Sequence, residues 1–278
     1  MHMRRYGEIG GCAKNVRMNN FSQKDLIIFD LDGTLAESKQ PVDENMAIML
    51  LMLLSKKKMA VISGGSFPQF QKQFLPALVK QTKWSKASDL PSPFINLFLL
   101  PTTGSSMYIF KENNWFKEYS HDLSVSEKEQ IRFALKVALE KAGEKIPPKI
   151  YGEQIEDRGS QISFSALGQE APIVEKAKWD PTEKRRLFIV SFLEPILPEF
   201  SIGIGGMTTI DITKKGIDKS FGVRKICEYL KIPIEKALYV GDALFEGGND
   251  YAARDSGVEC FEVKDVGETK KLIEKMIE

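Results

Sequence analysis

Two aspartates, Asp30 and Asp32, directly follow an apolar run in LIIFDLDGTLAES at residues 26–38. Residues i and i+2 of a strand point to the same side, so both carboxylates can face one site. Neighbouring carboxylates repel unless a cation lies between them, and Mg²⁺ prefers such hard oxygen ligands. One carboxylate could attack phosphorus while the other exchanges a proton with the leaving or entering oxygen. Two aspartates also occur in ordinary turns, so this interpretation needs support from elsewhere in the chain.

A second polar strand end lies in VISGGS at residues 61–66. Ser63 offers a hydroxyl group, and Gly64 and Gly65 offer unobstructed backbone N–H groups, a combination that suits phosphate oxygens. A plain strand-to-helix turn is the alternative, and Ser66 lies close enough to compete with Ser63. This stretch predicts a phosphate-binding loop only in combination with the other polar strand ends.

Two further positions complete the set. Lys219 follows Asp218, a candidate helix cap, and a lysine in the first helical turn opposes the helix dipole, which favours a separate role such as neutralising a phosphoryl group. Asp242 ends the apolar stretch KALYVGD and could complete a Mg²⁺ site. Asn249 and Asp250 could orient the metal ligands or hold Lys219. Four such positions in this order are hard to explain as turns alone.

Short apolar strands alternate with helices at both ends of the chain, which predicts an α/β fold with a Rossmann-like parallel sheet whose strand-end loops build the site. The middle reads as a hairpin around residues 112–114, a helix opened by a Ser126–Glu129 capping box, paired strands, and a helix opened by Asp180. This mixed pattern indicates an inserted α+β cap domain. The expected division is an extension at 1–22, a core at 23–106 and 215–278, and the insert at 107–214.

Composition excludes several classes of protein. Of 278 residues, 42% are hydrophobic and 28% charged, and the net charge of +1 gives no field to attract nucleic acid or an anionic membrane. The longest apolar run, residues 46–54, is too short to span a bilayer. Three scattered cysteines and two histidines argue against a disulfide framework or a zinc site, and favour a cytoplasmic protein.

These motifs together resemble those of the haloacid dehalogenase superfamily of phosphotransferases. DLDGT, the serine of VISGG, Lys219 and GD…GGND match its four motifs from residue 24 onward, and the insert resembles its type IIB cap. The second aspartate favours the phosphatase and mutase branch. Within that branch the chain is most similar to eukaryotic-type phosphomannomutases, in the stretches GGSFPQFQKQF, RGSQISFSALG, TIDIT…GIDK and GDALFEGGND.

The resemblance implies a role for individual residues. Asp30 would be the phosphorylated nucleophile and Asp32 the general acid/base. Mg²⁺ would be bound by Asp30, the backbone carbonyl of Asp32, and Asp242. In the cap, Arg158, Thr209 and Asp211 stand where the mutases hold the sugar phosphate.

The chain also departs from the mutase pattern, in which several arginines hold the distal phosphate. Lys39, Gln169 and Lys176 stand at three of those positions, and only Arg158 matches. Lysine keeps the charge but loses the bidentate fork, and glutamine loses both. We therefore expect a Mg²⁺-dependent phosphatase acting on a small phosphorylated metabolite such as a sugar phosphate. A phosphohexomutase is the alternative, a non-catalytic sugar-phosphate sensor is a remote third, and pairing of caps into a homodimer is open.

Overall fold

A computed structural model describes residues 21–82 and 92–278. The extension expected at residues 1–22 lies outside the described residues except for its last two. In the described amino-terminal part, strands alternate with helices, and the Asp43 carboxylate caps the first helix by accepting the Met46 N–H at 3.0 Å. Two short helices, separated at Phe74, lie between Phe67 and Thr82. The elements are β1 (Leu26–Asp30), α1 (Glu44–Leu54), β2 (Lys58–Ile62), α2 (Phe67–Gln73), α3 (Leu75–Thr82) and β3 (Leu97–Leu100).

The predicted hairpin exists but belongs to a different sheet than expected. It consists of β4 (Ser106–Lys111) and β5 (Asn114–Ser120), joined by Glu112 and Asn113 with φ of 51° and 59°, as a two-residue hairpin turn requires. β4 pairs antiparallel with β3. Met107 is fully buried in the same apolar cluster as β3 side chains. The assignment of this hairpin to the insert was wrong, because its apolar face completes the core.

The inserted segment forms its own antiparallel sheet in the order β6-β7-β9-β8, covered by helices that share one apolar cluster with it. The division of the chain into a core and an insert remains a prediction. With the hairpin assigned to the core, the elements of the insert run from α4 to β9. They are α4 (Val125–Lys141), β6 (Ile155–Asp157), β7 (Gln161–Ser165), α5 (Ile173–Trp179), α6 (Lys184–Leu193), β8 (Phe200–Gly205) and β9 (Thr209–Lys214).

Two helix starts in the insert differ from the expectation. The capping box of α4 is formed by Ser124 and Glu127, whose reciprocal hydrogen bonds measure 3.2 and 2.6 Å, and not by Ser126 and Glu129. Both pairs satisfy the same sequence pattern, so the pattern alone could not decide. α6 begins at Lys184, because Glu183 has a left-handed φ of 62° that breaks the helix expected from Asp180.

The last part of the chain returns to the core with α7 (Lys219–Leu230), β10 (Ala237–Gly241), β11 (Glu259–Glu262) and α8 (Val266–Ile277). The core sheet has the order β11-β10-β1-β2-β3-β4-β5, and β1 pairs in parallel with both β10 and β2. Apolar clusters cover both faces. This confirms the predicted α/β, Rossmann-like class. Among the helices of residues 21–82 and 92–278, none is long and apolar enough to cross a bilayer.

Candidate active site

Three neighbouring strands end at one edge of the core sheet, and each delivers a predicted site residue. Asp30 is the last residue of β1, Ser63 follows β2, and Asp242 follows β10. Because these strands are parallel and adjacent, their carboxyl ends meet. The site opens into a cleft of about 940 Å³ between the core and the inserted segment, lined by these three residues and by Lys219.

Lys219 lies at the first position of α7 and is buried, with 3% of its surface exposed. Its Nζ donates to Asp30 Oδ1 at 2.6 Å, to Asp250 Oδ1 at 2.5 Å and to Asn249 Oδ1 at 3.2 Å. Burial alone would lower the pKa of Lys219, but Asp250 and Asp30 outweigh it and raise that pKa above its usual value. The lysine is therefore a permanent cation in contact with the candidate nucleophile.

The carboxylates of Asp30, Asp242 and Asp250 each offer an oxygen within 4.8 Å of the others. Burial raises the pKa of Asp30 despite Lys219, and burial together with Asp250 raises the pKa of Asp242 to about 6. Asp30 Oδ2 is buried and accepts no hydrogen bond from any described residue. Clustered carboxylates with an unpaired buried oxygen are the donor set that Mg²⁺ prefers, so the residues fit that ion.

Asp250 differs from the other two carboxylates because donors occupy both of its oxygens. Oδ1 accepts from Lys219 and, at 2.5 Å, from the buried hydroxyl of Tyr239, while Oδ2 accepts from the Ala243 N–H at 3.0 Å. These contacts suit the expected role of orienting Lys219. Burial and then Asp250 raise the pKa of Tyr239, which keeps it a hydrogen-bond donor. Sequence reasoning missed Tyr239, because a tyrosine inside an apolar strand resembles a core residue.

The turn after β1 places Asp32 at the mouth of the cleft. Gly33 has φ of 91°, and a Cβ atom there would lie 2.3 Å from Asp242 Oδ2, so the turn requires glycine. Asp32 Oδ1 accepts from the Lys39 backbone N–H at 2.6 Å and from Gln73 Nε2 at 2.8 Å. Sequence reasoning missed Gln73. The available signal was a glutamine among the buried positions of α2, between Phe70 and Phe74.

The loop after β2 leaves the Ser63 hydroxyl free for a ligand, but not the Gly65 N–H, which is donated within the loop. Ser63 is 2% exposed and its Oγ accepts the Gly65 N–H at 3.1 Å, which leaves its hydroxyl proton available to a ligand. Ser63, Gly64 and Gly65 line the main cleft, whereas Ser66 lines a smaller pocket of about 260 Å³ beside the hairpin. This geometry favours Ser63 over Ser66.

The insert contacts this loop directly. Arg158 Nη1 and Gln161 Nε2 both donate to the Gly64 carbonyl, at 2.5 and 3.1 Å. The Arg158 guanidinium also binds Glu156 at 2.7 Å, and its Nη1 lies 3.8 Å from Asp211 Oδ1. Burial raises the pKa of Asp211. Thr209, at the start of β9, lines the same cleft.

Lys39, which follows β1, and Lys176, in α5 of the insert, both contact Gln169 of the insert. Lys39 has a left-handed φ of 57° and its Nζ donates to Gln169 Oε1 at 3.3 Å, while Lys176 Nζ donates to the Gln169 carbonyl at 2.9 Å. Burial, followed by the neighbouring cation Arg158, lowers the pKa of Lys39. Burial and Lys39 lower the pKa of Lys176 to about 8. The three residues that the resemblance places at mutase arginine positions thus lie together, in contact through Gln169.

Comparison with known proteins agrees with this geometry. A family model described as eukaryotic phosphomannomutase matches residues 98–278. The phosphomannomutase of Encephalitozoon cuniculi is 26% identical over 82% of this chain and 84% of its own length. The phosphomannomutase of Saccharomyces cerevisiae is 24% identical over 81% of this chain and 83% of its own.

Among solved structures, an IMP-nucleotidase of Plasmodium falciparum superimposes with a TM-score of 0.70 at 18% identity, covering 93% of this chain and 71% of that one. A haloacid dehalogenase-like hydrolase from Bacteroides thetaiotaomicron superimposes with a TM-score of 0.57 at 12% identity, covering 91% of this chain and 99% of that one. The described part of the chain therefore shares its fold with these two solved structures. By the match to the family model, this chain belongs to the eukaryotic phosphomannomutase family.

Proposed function

We propose that this chain is a Mg²⁺-dependent phosphatase that hydrolyses a small phosphorylated metabolite, a sugar phosphate, through an aspartyl phosphate on Asp30. The observation that carries the proposal is the 2.6 Å contact between Lys219 Nζ and Asp30 Oδ1 at the edge of a buried group of carboxylates. A binding protein has no need for a nucleophile held against a buried cation, which argues against a non-catalytic sensor.

Each residue has a defined part in the reaction. An Asp30 oxygen attacks phosphorus, the bond from phosphorus to the leaving oxygen breaks, and Asp32 gives that oxygen a proton. Lys219 offsets phosphoryl charge, and the Ser63 hydroxyl with the Gly64 N–H binds the phosphoryl oxygens, while the Gly65 N–H holds Ser63 Oγ in place. Asp32 then takes a proton from water, which attacks phosphorus and releases inorganic phosphate and the free Asp30 carboxylate.

Mg²⁺ would be held by Asp30, Asp242 and the backbone carbonyl of Asp32, and when bound it supplies further neutralisation of phosphoryl charge. Asn249 and Asp250 would keep Lys219 directed at Asp30, as their contacts of 3.2 and 2.5 Å suggest.

The choice of water as the final acceptor rests on the charges at the far side of the cleft. Lys39 and Arg158 lie near two carboxylates, Glu156 and Asp211, and Arg158 is already bound to Glu156 and to the Gly64 carbonyl. Lys176 lies beside Lys39, and that neighbouring cation helps to lower the pKa of Lys176. A mutase must retain a sugar carrying two phosphates while it turns around. A cluster with this little free positive charge suits release of product better than retention.

Membership of the phosphomannomutase family favours a second candidate, a phosphohexomutase. In that reaction the phosphoryl group on Asp30 passes to a second hydroxyl of the sugar instead of to water. Lys39, Arg158 and Lys176 would then have to bind the distal phosphate without the further arginines of the mutase pattern.

One experiment separates the candidates. Purified protein with Mg²⁺ is given mannose 1-phosphate or glucose 1-phosphate, each with and without its 1,6-bisphosphate, and both inorganic phosphate and the 6-phosphate isomer are followed. We expect phosphate release that stops in Asp30→Asn and after removal of Mg²⁺ with EDTA. Isomer formation that depends on the bisphosphate would instead identify the mutase. Binding without either product, and unchanged in Asp30→Asn, would support the sensor and contradict both enzymes.

A further inference from the structure

Gln73 is a buried polar side chain in contact with the candidate acid/base. It is the last residue of α2, only 4% of its surface is exposed, and its neighbours Phe70 and Phe74 are fully buried. Burying an amide is costly unless it is hydrogen-bonded. Its Nε2 donates to Asp32 Oδ1 at 2.8 Å, so its hydrogen bond is made to the site itself.

Two further contacts fix the orientation of this amide. Gln73 Oε1 accepts from Gln69 Nε2 at 3.0 Å, which leaves the NH₂ group as the end that faces Asp32. The Gln73 backbone carbonyl accepts the Val42 N–H at 2.9 Å, which ties the end of α2 to the segment that follows Asp32. Gln73 is therefore held from both sides and can act as a rigid donor.

The two oxygens of Asp32 consequently differ. Oδ1 accepts from Gln73 and from the Lys39 backbone N–H, whereas Oδ2 makes no hydrogen bond with any residue of the described part of the chain. When Asp32 carries a proton, that proton must lie on Oδ2, because two donors already occupy Oδ1.

We propose that Gln73 is a positioning residue that holds Asp32 in the rotamer that presents Oδ2 to the leaving oxygen of the substrate. This inference rests on the proposed function, because it takes Asp32 as the acid/base of phosphoryl transfer. Without the Gln73 donor, Oδ1 is held by the Lys39 N–H alone, and the carboxyl group is freer to turn Oδ2 away from the leaving oxygen.

The test compares two substrates of similar size, phenyl phosphate and p-nitrophenyl phosphate. Phenolate needs a proton to leave, whereas p-nitrophenolate leaves readily without one. In Gln73→Met, which keeps the side-chain length but removes the donor, we expect kcat/KM for phenyl phosphate to fall about tenfold or more. For p-nitrophenyl phosphate, kcat/KM of the same variant should stay within about threefold of the wild-type value. Asp32→Asn should give the same selectivity with a larger loss.

The ratio of the two kcat/KM values does not depend on how much of the variant is folded, so a loss of stability cannot imitate this result. Gln71→Met, on the exposed side of the same helix, is the matched control and should leave the ratio unchanged. Equal losses for both substrates, or no loss, would overturn the positioning role. If the wild type hydrolyses neither ester nor the sugar phosphates, or if Asp30→Asn stays active, the proposed function fails instead.

Discussion

At the scale of single residues, the site is defined by charges that are buried together. Lys219 is tolerated in the first turn of α7, where a lysine opposes the helix dipole, because Asp30 and Asp250 lie at 2.6 and 2.5 Å from its Nζ. Removing one partner of such a buried pair leaves an uncompensated charge, which is strongly destabilising. The arrangement therefore keeps the nucleophile and its cation together before any substrate arrives.

Lys176 provides a prediction about pH. Its pKa is lowered to about 8 by burial and Lys39, and a second phosphate bound nearby would raise it, so binding takes up a proton. Affinity for glucose 1,6-bisphosphate should be highest near pH 7, where its phosphates are ionised and Lys176 is charged, and should fall as pH rises through the free pKa of Lys176, by roughly tenfold between about pH 7 and pH 9. Calorimetry of bisphosphate binding to Asp30→Asn, which does not turn over, measures this.

The matched variant is Lys176→Arg, which stays charged throughout that range and should bind with little dependence on pH. Lys176→Met should bind weakly at every pH. A fall in affinity of the same size in Lys176→Arg would show that another group titrates and would contradict this assignment.

At the scale of elements, the buried Arg186 of α6 links the end of α5 to the end of β8 and the turn that follows it. Arg186 is 2% exposed, its Nε donates to Asp180 Oδ2 at 2.9 Å, and its Nη1 donates to the carbonyls of Gly205 and Gly206 at 3.1 and 2.7 Å. The Asp180 carboxylate also accepts the backbone N–H groups of Arg185 and Arg186, both at 3.1 Å. This pair fixes one wall of the cleft.

We expect Arg186→Met to lower the free energy of unfolding by about 3–5 kcal/mol, because it leaves Asp180 buried without its cation. Urea unfolding followed by circular dichroism measures the loss. The neighbouring Arg185 is the matched control, since its side chain is 45% exposed where that of Arg186 is 2%, and it pairs with Glu144. Arg185→Met should cost about 1 kcal/mol or less. Equal losses in the two variants would contradict a special role for the buried pair.

The sequence predicted an element correctly where its local pattern allowed one structure, and failed where the pattern was ambiguous or the contact was distant in the chain. Strands that end in polar residues were predicted well, because a buried apolar run followed by Asp30 or Asp242 has few alternative structures. The start of α4 was missed because two overlapping capping patterns exist, and local sequence could not rank them. Gln73 was missed because its role depends on a contact made 41 positions away in the chain. Such contacts are properties of the assembled fold.

At the scale of the whole molecule, the core and the insert meet at Gly64. A Cβ atom at this position would lie 2.9 Å from Asp211 Oδ2, which belongs to the insert. We expect Gly64→Ala to displace the insert from the phosphate-binding loop and to raise KM for the sugar phosphate about tenfold, because closure places the cap residues on the substrate. Steady-state kinetics and thermal unfolding would be measured on the same samples.

Gly203→Ala serves as the matched control, because a methyl group there would meet no atom of the described residues within 4 Å. Its KM should match the wild type. An unchanged KM in Gly64→Ala would mean that the insert accommodates the extra methyl group without moving, and the argument from closure would fail.

Lys39 contacts the candidate acid/base through its backbone and the insert through its side chain. Its backbone N–H binds Asp32 at 2.6 Å, and its side chain binds Gln169 of the insert at 3.3 Å. The backbone contact is available to any residue that accepts the left-handed φ of 57°, whereas the side-chain contact is specific to a long cation. Evolution can therefore alter which distal groups the cleft retains by substitutions at position 39, without disturbing the proton donor of the reaction.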